Sequence, residues 1–127
     1  MTLRCVIVDD SCDVLRAARN LLKGQGMAVV GVAATGEQAE RMMGELQPDV
    51  MLVDIDLGPE SGFALARRVS QSPEIERSNV IVISTHDEAD YAKLIAASPA
   101  NGFLPKADLS ATAIRRLMSR ARDEGRY

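Results

Sequence analysis

Five times along the chain, a short run of β-branched and other apolar residues breaks off at a polar residue and gives way to helically spaced apolar positions. That alternation of periods is the strongest constraint on what the chain can fold into. Cys5-Val6-Ile7-Val8 stops at Asp9-Asp10. Ser11 can then cap a helix whose apolar face is Val14, Leu15, Ala18, Leu21 and Leu22, ended by Gly24 and Gly26. Met27 to Ala34 reads as a second strand, and Thr35-Gly36-Glu37-Gln38 has capping-box spacing. The helix that follows turns Ala39, Met42, Met43 and Leu46 inward and closes at Pro48. Val50-Met51-Leu52-Val53 is a third strand, ended by Asp54, and a Gly/Pro loop from Leu57 to Gly62 leads to a helix marked by Phe63, Ala66 and Val69. Val80-Ile81-Val82-Ile83 is a fourth strand, ended by Ser84, and Asp87 can cap a helix through Tyr91, Leu94 and Ile95. Gly102-Phe103-Leu104 is a fifth strand running into Pro105-Lys106. The last helix carries Leu109, Ala113, Ile114, Leu117 and Ala121.

Strand runs with no polar alternation are covered on both faces. The pattern therefore predicts a three-layer α/β domain, (βα)5, built on a doubly wound parallel sheet. The chain has 127 residues, about one domain, with 46% apolar residues and only 3% aromatic. Its core must be made from Val, Ile, Leu, Ala and Met. We find no linker, repeat or low-complexity tract, so residues 1–127 read as a single domain.

What sits at the strand ends carries the chemistry. The first strand delivers Asp9 and Asp10, the third Asp54, the fourth Ser84 and Thr85, and the fifth Lys106; the second gives only Thr35. Open α/β sheets bind ligands beyond the carboxyl ends of their strands. Taken singly, each Asp is a helix cap or a solvated turn and Lys106 a surface charge. Taken together, three carboxylates, a hydroxyl and an ammonium share one end of one sheet. If the first and third strands are neighbours there, the three carboxylates converge and repel, and a hard divalent cation such as Mg²⁺ relieves them. Asp54 is a feasible nucleophile towards a phosphoryl group, Lys106 can neutralise its oxygens and Ser84 can donate to one of them. Phosphoryl transfer needs little beyond positioning and charge stabilisation.

Other classes fit less well. A net charge of −3 gives no electrostatic footprint for nucleic acid. The basic stretch Arg115–Arg126, which includes Arg116 and Arg120, is interrupted by Asp123 and Glu124. No apolar run approaches the ~20 residues that span a membrane, and the first residues lack a signal-peptide layout. The only cysteines, Cys5 and Cys12, read as reduced side chains of a cytoplasmic protein. His86, the single histidine, reads as a loop side chain near a helix cap, with a proton carrier for the site as the rival reading.

At this point the chain resembles the receiver domains of two-component response regulators. The matching pieces are Val6-Ile7-Val8-Asp9-Asp10, Leu52-Val53-Asp54, Gly62, Ile83-Ser84 and Gly102-Phe103-Leu104-Pro105-Lys106. They run through nearly the whole chain in the expected order. The resemblance implies a flavodoxin-like fold with strand order 2-1-3-4-5. It implies Asp54 as phosphoacceptor, Mg²⁺ held by Asp9, Asp10, Asp54 and the backbone carbonyl of Asp56, and Asp10 as the more direct of the acidic pair. Ser84 and Phe103 match the residues that follow the switch, and Lys106 matches the phosphoryl-contacting lysine. The donor would be a histidine kinase or a histidine phosphotransfer protein. The output would be the face of helix four, strand five and helix five, with Tyr91, Lys93, Arg115, Arg116 and Arg120, a possible homodimer surface. Such a domain catalyses only its own phosphorylation and dephosphorylation.

Some positions depart from the family pattern. Ala107 follows Lys106 where many relatives carry a proline after a cis bond, so a trans peptide is expected here. Pro59 sits one place late, Asp56 adds a charge beside the site, and Thr85 replaces a smaller residue. Two rivals remain: a haloacid-dehalogenase-like phosphatase, suggested by Asp54-Ile55-Asp56, and a degenerate receiver that binds a partner constitutively. Both a stand-alone receiver and one part of a DNA-binding regulator fit the sequence.

Overall fold

The computed structural model describes residues 2–72, 78–85 and 88–124. His86, Asp87 and Arg126 lie outside the described residues, as do the side chains of Arg120 and Ala121. Five strands form one parallel sheet: β1 (Arg4–Val8), β2 (Ala28–Ala33), β3 (Val50–Asp54), β6 (Asn79–Ser84) and β7 (Gly102–Pro105). Their order is β2-β1-β3-β6-β7, the expected flavodoxin-like arrangement. Two further strands, β4 (Asp56–Leu57) and β5 (Glu60–Ser61), make a small antiparallel hairpin. Five α-helices are described: α1 (Cys12–Gly24), α2 (Gly36–Leu46), α3 (Gly62–Ser70), α4 (Ala92–Ala97) and α5 (Ala111–Glu124).

Alternation within each strand divides the core into two halves. Cys5, Ile7, Val50, Leu52, Ile81, Ile83 and Leu104 pack on Leu15, Ala18 and Leu22 of α1 and on Ile114 and Met118 of α5. Val6, Val8, Met51, Val53, Val80, Val82 and Phe103 pack on Ala39 and Met43 of α2 and on Leu65, Ala66 and Val69 of α3. Helices therefore cover both faces, as the unbroken apolar runs require. Each fully buried Ile, Leu or Met contributes about 1.5–3 kcal/mol.

The helix starts follow the capping residues. Ser11 Oγ accepts from the Val14 N–H at 3.3 Å, and Thr35 Oγ1 accepts from the Gln38 N–H at 3.2 Å. Gln38 Oε1 reaches back to the Ala34 N–H at 3.0 Å and completes the box one residue early.

Four expectations need correction. Leu21, read as part of the apolar face of its helix, is 41% exposed. Helical spacing marks the side of a helix that carries the apolar residues, not how wide a strip the sheet covers. Leu57–Gly62, read as loop, overlaps the hairpin of Asp56–Ser61, whose two-residue strands are too short to show a period. Helix α4 begins only at Ala92, after a 3-10 turn over Glu88–Tyr91. Leu109 precedes α5, which starts at Ala111 after a second 3-10 turn over Lys106–Asp108.

Candidate functional site

Register brings the polar strand ends together. Val8 pairs with Val53, so Asp9 and Asp54 emerge side by side from β1 and β3. Asp54 pairs with Ile83, and Ser84 pairs with Pro105, which puts Lys106 next along β7. The Asp9 N–H donates to Ala33 O at 3.0 Å, and the Ile55 N–H to Ile83 O at 3.1 Å. These bonds carry the ladder past the strand ends and fix the two Asp residues that flank them.

The side chains then meet. Asp9, Asp10 and Asp54 each place a carboxylate oxygen within 4.8 Å of the others. Asp9 is 1% exposed and both its oxygens are engaged. Oδ1 accepts from the Ser11 N–H at 2.9 Å, and Oδ2 accepts from Lys106 Nζ at 2.8 Å. The same ammonium lies 3.4 Å from Asp54 Oδ2. Asp10 is exposed. Asp54 is largely buried and accepts a hydrogen bond from the Asp56 N–H.

The electrostatics follow from this geometry. Burial pushes the Asp54 carboxyl above its ordinary range, and the charge of Asp9 pushes it further. Lys106 and the Asp56 N–H pull the other way and only partly offset them. For Lys106, burial opposes the charge, but pairing with Asp9 and Asp54 outweighs burial and holds the ammonium above the usual lysine range. Among these groups, three carboxylates face one ammonium, so two negative charges are left without a partner of opposite sign. A hard divalent cation matches that deficit, and the donors are all oxygens.

Gly62 is part of this construction. A Cβ there would run into the Asp54 carbonyl group, 2.9 Å from its carbon and closer still to its oxygen. The Gly62 N–H donates to Ile55 O at 2.6 Å, closing the chain back onto the residue after Asp54. Only glycine lets α3 start this close to Asp54.

The model of the response regulator receiver domain matches residues 5–118. The chain belongs to the response regulator receiver domain family. Protein-glutamate methylesterase/protein-glutamine glutaminase 1 of Shewanella denitrificans is 31% identical over 99% of this receiver and 34% of its own length. Oxygen regulatory protein NreC of Staphylococcus haemolyticus is 30% identical over 82% of this receiver and 48% of its own length. The receiver thus spans a third to a half of these two relatives. The crystal structure of a LuxR-family two-component response regulator from Aurantimonas sp. SI85-9A1 superposes with a TM-score of 0.83 at 26% identity, covering 94% of this receiver and 87% of that chain.

The other expected residues are placed as follows. Ser84 is 1% exposed at the end of β6, and Phe103 is 8% exposed in β7. Val82 pairs with Phe103, and alternation puts Ser84 on the same sheet face as both. The Asp56 side chain is exposed and lies outside the acidic trio, and Thr85 is exposed. Among the described residues no peptide is cis, so Lys106–Ala107 is trans as expected. Tyr91 is half-buried, its ring 6.3 Å from that of Phe63, while Lys93, Arg115 and Arg116 are exposed. No described helix is long and apolar enough to cross a membrane. One element escaped the sequence reading: Arg68 pairs with both Glu40 and Glu60, joining α3, α2 and the hairpin. Its members are scattered along the chain and resemble ordinary solvated charges, so no sequence signal marks them.

Proposed function

We propose that this receiver is the phosphoacceptor of a phosphorelay and takes a phosphoryl group from a phosphohistidine onto Asp54. The donor is a histidine kinase or a histidine phosphotransfer protein. The observation that carries the reading is the acidic trio within 4.8 Å with the Lys106 ammonium against two of its members. Asp10 and Asp54, with Asp9 beside them and the Asp56 carbonyl as a further oxygen, would hold Mg²⁺. When bound, that ion relieves the repulsion of the carboxylates and neutralises phosphoryl oxygens.

The chain's own residues do the rest. An Asp54 carboxylate oxygen attacks phosphorus, the P–N bond breaks, and its electron pair leaves with the imidazole. Lys106 shifts towards the phosphoryl oxygens, already aligned by Asp9. The receiver turns over no other substrate: it catalyses the gain and loss of its own phosphoryl group. Residues 1–127 act as one receiver domain.

The phosphoryl group adds roughly −1.5 to −2 charge and three acceptors. Ser84 moves to donate to one of them, and Phe103, on the neighbouring strand and the same face, follows. The change reaches the surface of α4, β7 and α5. Helix α4 buries none of its six residues and leaves Leu94 exposed, as suits an element that shifts cheaply and meets a partner or a second copy.

Intact mass after incubation with acetyl phosphate and Mg²⁺ tests the reading. One phosphoryl group on the parent chain and none on Asp54→Asn is expected. No uptake, or equal uptake by the variant, would refute it.

A further inference from the structure

The hairpin that follows Asp54 cannot hold its own shape. Each strand has two residues, and an isolated hairpin is marginal even when longer. Yet its first residue, Asp56, supplies the N–H that Asp54 accepts. Three contacts hold the hairpin: Leu57 buried in the core, Gly62 against the Asp54 carbonyl, and the side chain of Glu60. Glu60 stands over Gly36, the first residue of α2, at the end where helix N–H groups favour an anion. Arg68 reaches from α3, pairs with Glu60, and pairs with Glu40 of α2 through Nε at 2.5 Å. The ion pair thus ties the hairpin to both helices of that layer.

We propose that Arg68 is a positioning residue for the acidic site, acting through Glu60 to fix the path of the chain from Asp54 to Gly62. The proposal rests on the phosphoacceptor reading above. Its partners are partly exposed, with 42% of the Arg68 side chain, 38% of Glu40 and 25% of Glu60 accessible. Pairs this wet add little to global stability. Their effect is local: they select one conformation of a segment that is otherwise held at its ends.

Charge and position predict opposite patterns. If Arg68 and Glu60 acted on the site only through their fields, Arg68→Ala would tighten Mg²⁺ binding and Glu60→Gln would loosen it. If they act by holding the hairpin, both single variants loosen it, because each breaks the same pair.

The test is a Mg²⁺ titration of the folded chain followed by backbone amide shifts of Asp56 and Gly62, with melting temperature measured alongside. Arg68→Ala and Glu60→Gln are each expected to weaken Mg²⁺ about fivefold, near 1 kcal/mol at about 1.4 kcal/mol per decade. The double variant should be no weaker than either single one. Arg68→Lys should recover part of the loss. Arg41→Ala, which removes only the exposed Glu37–Arg41 pair, should match the parent. Affinities that move in opposite directions, or a lower melting temperature at parental affinity, would overturn the proposal. Should Arg68→Ala fail to fold, Arg68→Gln, which also removes the charge but keeps a long side chain, takes its place: parental or tighter affinity overturns the proposal. A parent chain that neither binds Mg²⁺ nor takes phosphate would instead sink the phosphoacceptor reading, and this proposal with it.

Discussion

Replacing Gly62 with alanine puts a methyl group where the chain has left no room. The new carbon would sit 2.9 Å from the Asp54 carbonyl carbon and 3.2 Å from Ile55 Cα, and closer still to the Asp54 oxygen. Every obstacle is backbone, so no side-chain rotation relieves the overlap. Either α3 withdraws, stretching the 2.6 Å bond from the Gly62 N–H to Ile55 O, or the Asp54 peptide turns. Overpacking of this kind costs about 1–3 kcal/mol. With an unfolding entropy near 2.1 cal/mol/K per residue, a 127-residue chain then melts about 4–11 °C lower. Because the displaced group is the backbone of Asp54 itself, Mg²⁺-dependent phosphate uptake falls as well. Gly24 is the matched control: it closes α1, has nothing within 4 Å of an added Cβ, and its alanine variant should gain about 0.5 kcal/mol from helix propensity. Thermal melting of both variants, with intact mass after acetyl phosphate, checks the pair. A Gly62→Ala chain that melts and phosphorylates like the parent would refute the close-approach argument.

Lys106→Met removes the cation that faces Asp9 and Asp54, and should slow phosphate uptake from acetyl phosphate by about 10²-fold, read from the rate of mass gain. Asp54→Asn should raise the melting temperature in the absence of divalent ions. Burial and Asp9 raise the folded pKa of Asp54, so its stabilising contribution is present below the unfolded carboxylate pKa and lost as pH rises through the folded value. The asparagine variant should therefore gain most at neutral pH and lose its advantage in acid, as melting curves across pH would show. Burial holds the Cys5 thiol up at about 11 and out of reach, whereas Cys12 is exposed, so a thiol reagent should label one cysteine in the folded chain and two in denaturant.

The sheet and the acidic trio were legible because they depend on short-range features that register preserves. An apolar run that ends at a charged residue places that residue at the end of a strand, so Asp9, Asp54 and Lys106 fall at one end of the sheet in any order, and their convergence needs only that the first and third strands be neighbours. The order itself came only with the family resemblance, since nothing in a strand's composition names its neighbours. Other features depend on distances between distant parts of the chain. Asp9 and Asp10 look alike in sequence, but Ser11 and Lys106 occupy both oxygens of Asp9 while Asp10 is exposed. Leu21 lies on the apolar side of α1 beyond the strip that the sheet covers. The Glu40–Arg68–Glu60 link joins three elements whose charges each have an ordinary surface reading.

In the proposed site one cation seats among three carboxylates at the ends of two neighbouring strands. Mn²⁺ in place of Mg²⁺ makes this visible, because its unpaired electrons broaden nearby amide signals. Substoichiometric Mn²⁺ should erase the signals of Asp9, Asp10 and Asp54 to Asp56 first, with Mg²⁺ in excess restoring them. Broadening centred instead on the exposed acids of α2, such as Glu37 and Glu45, or spread evenly over the surface, would contradict it.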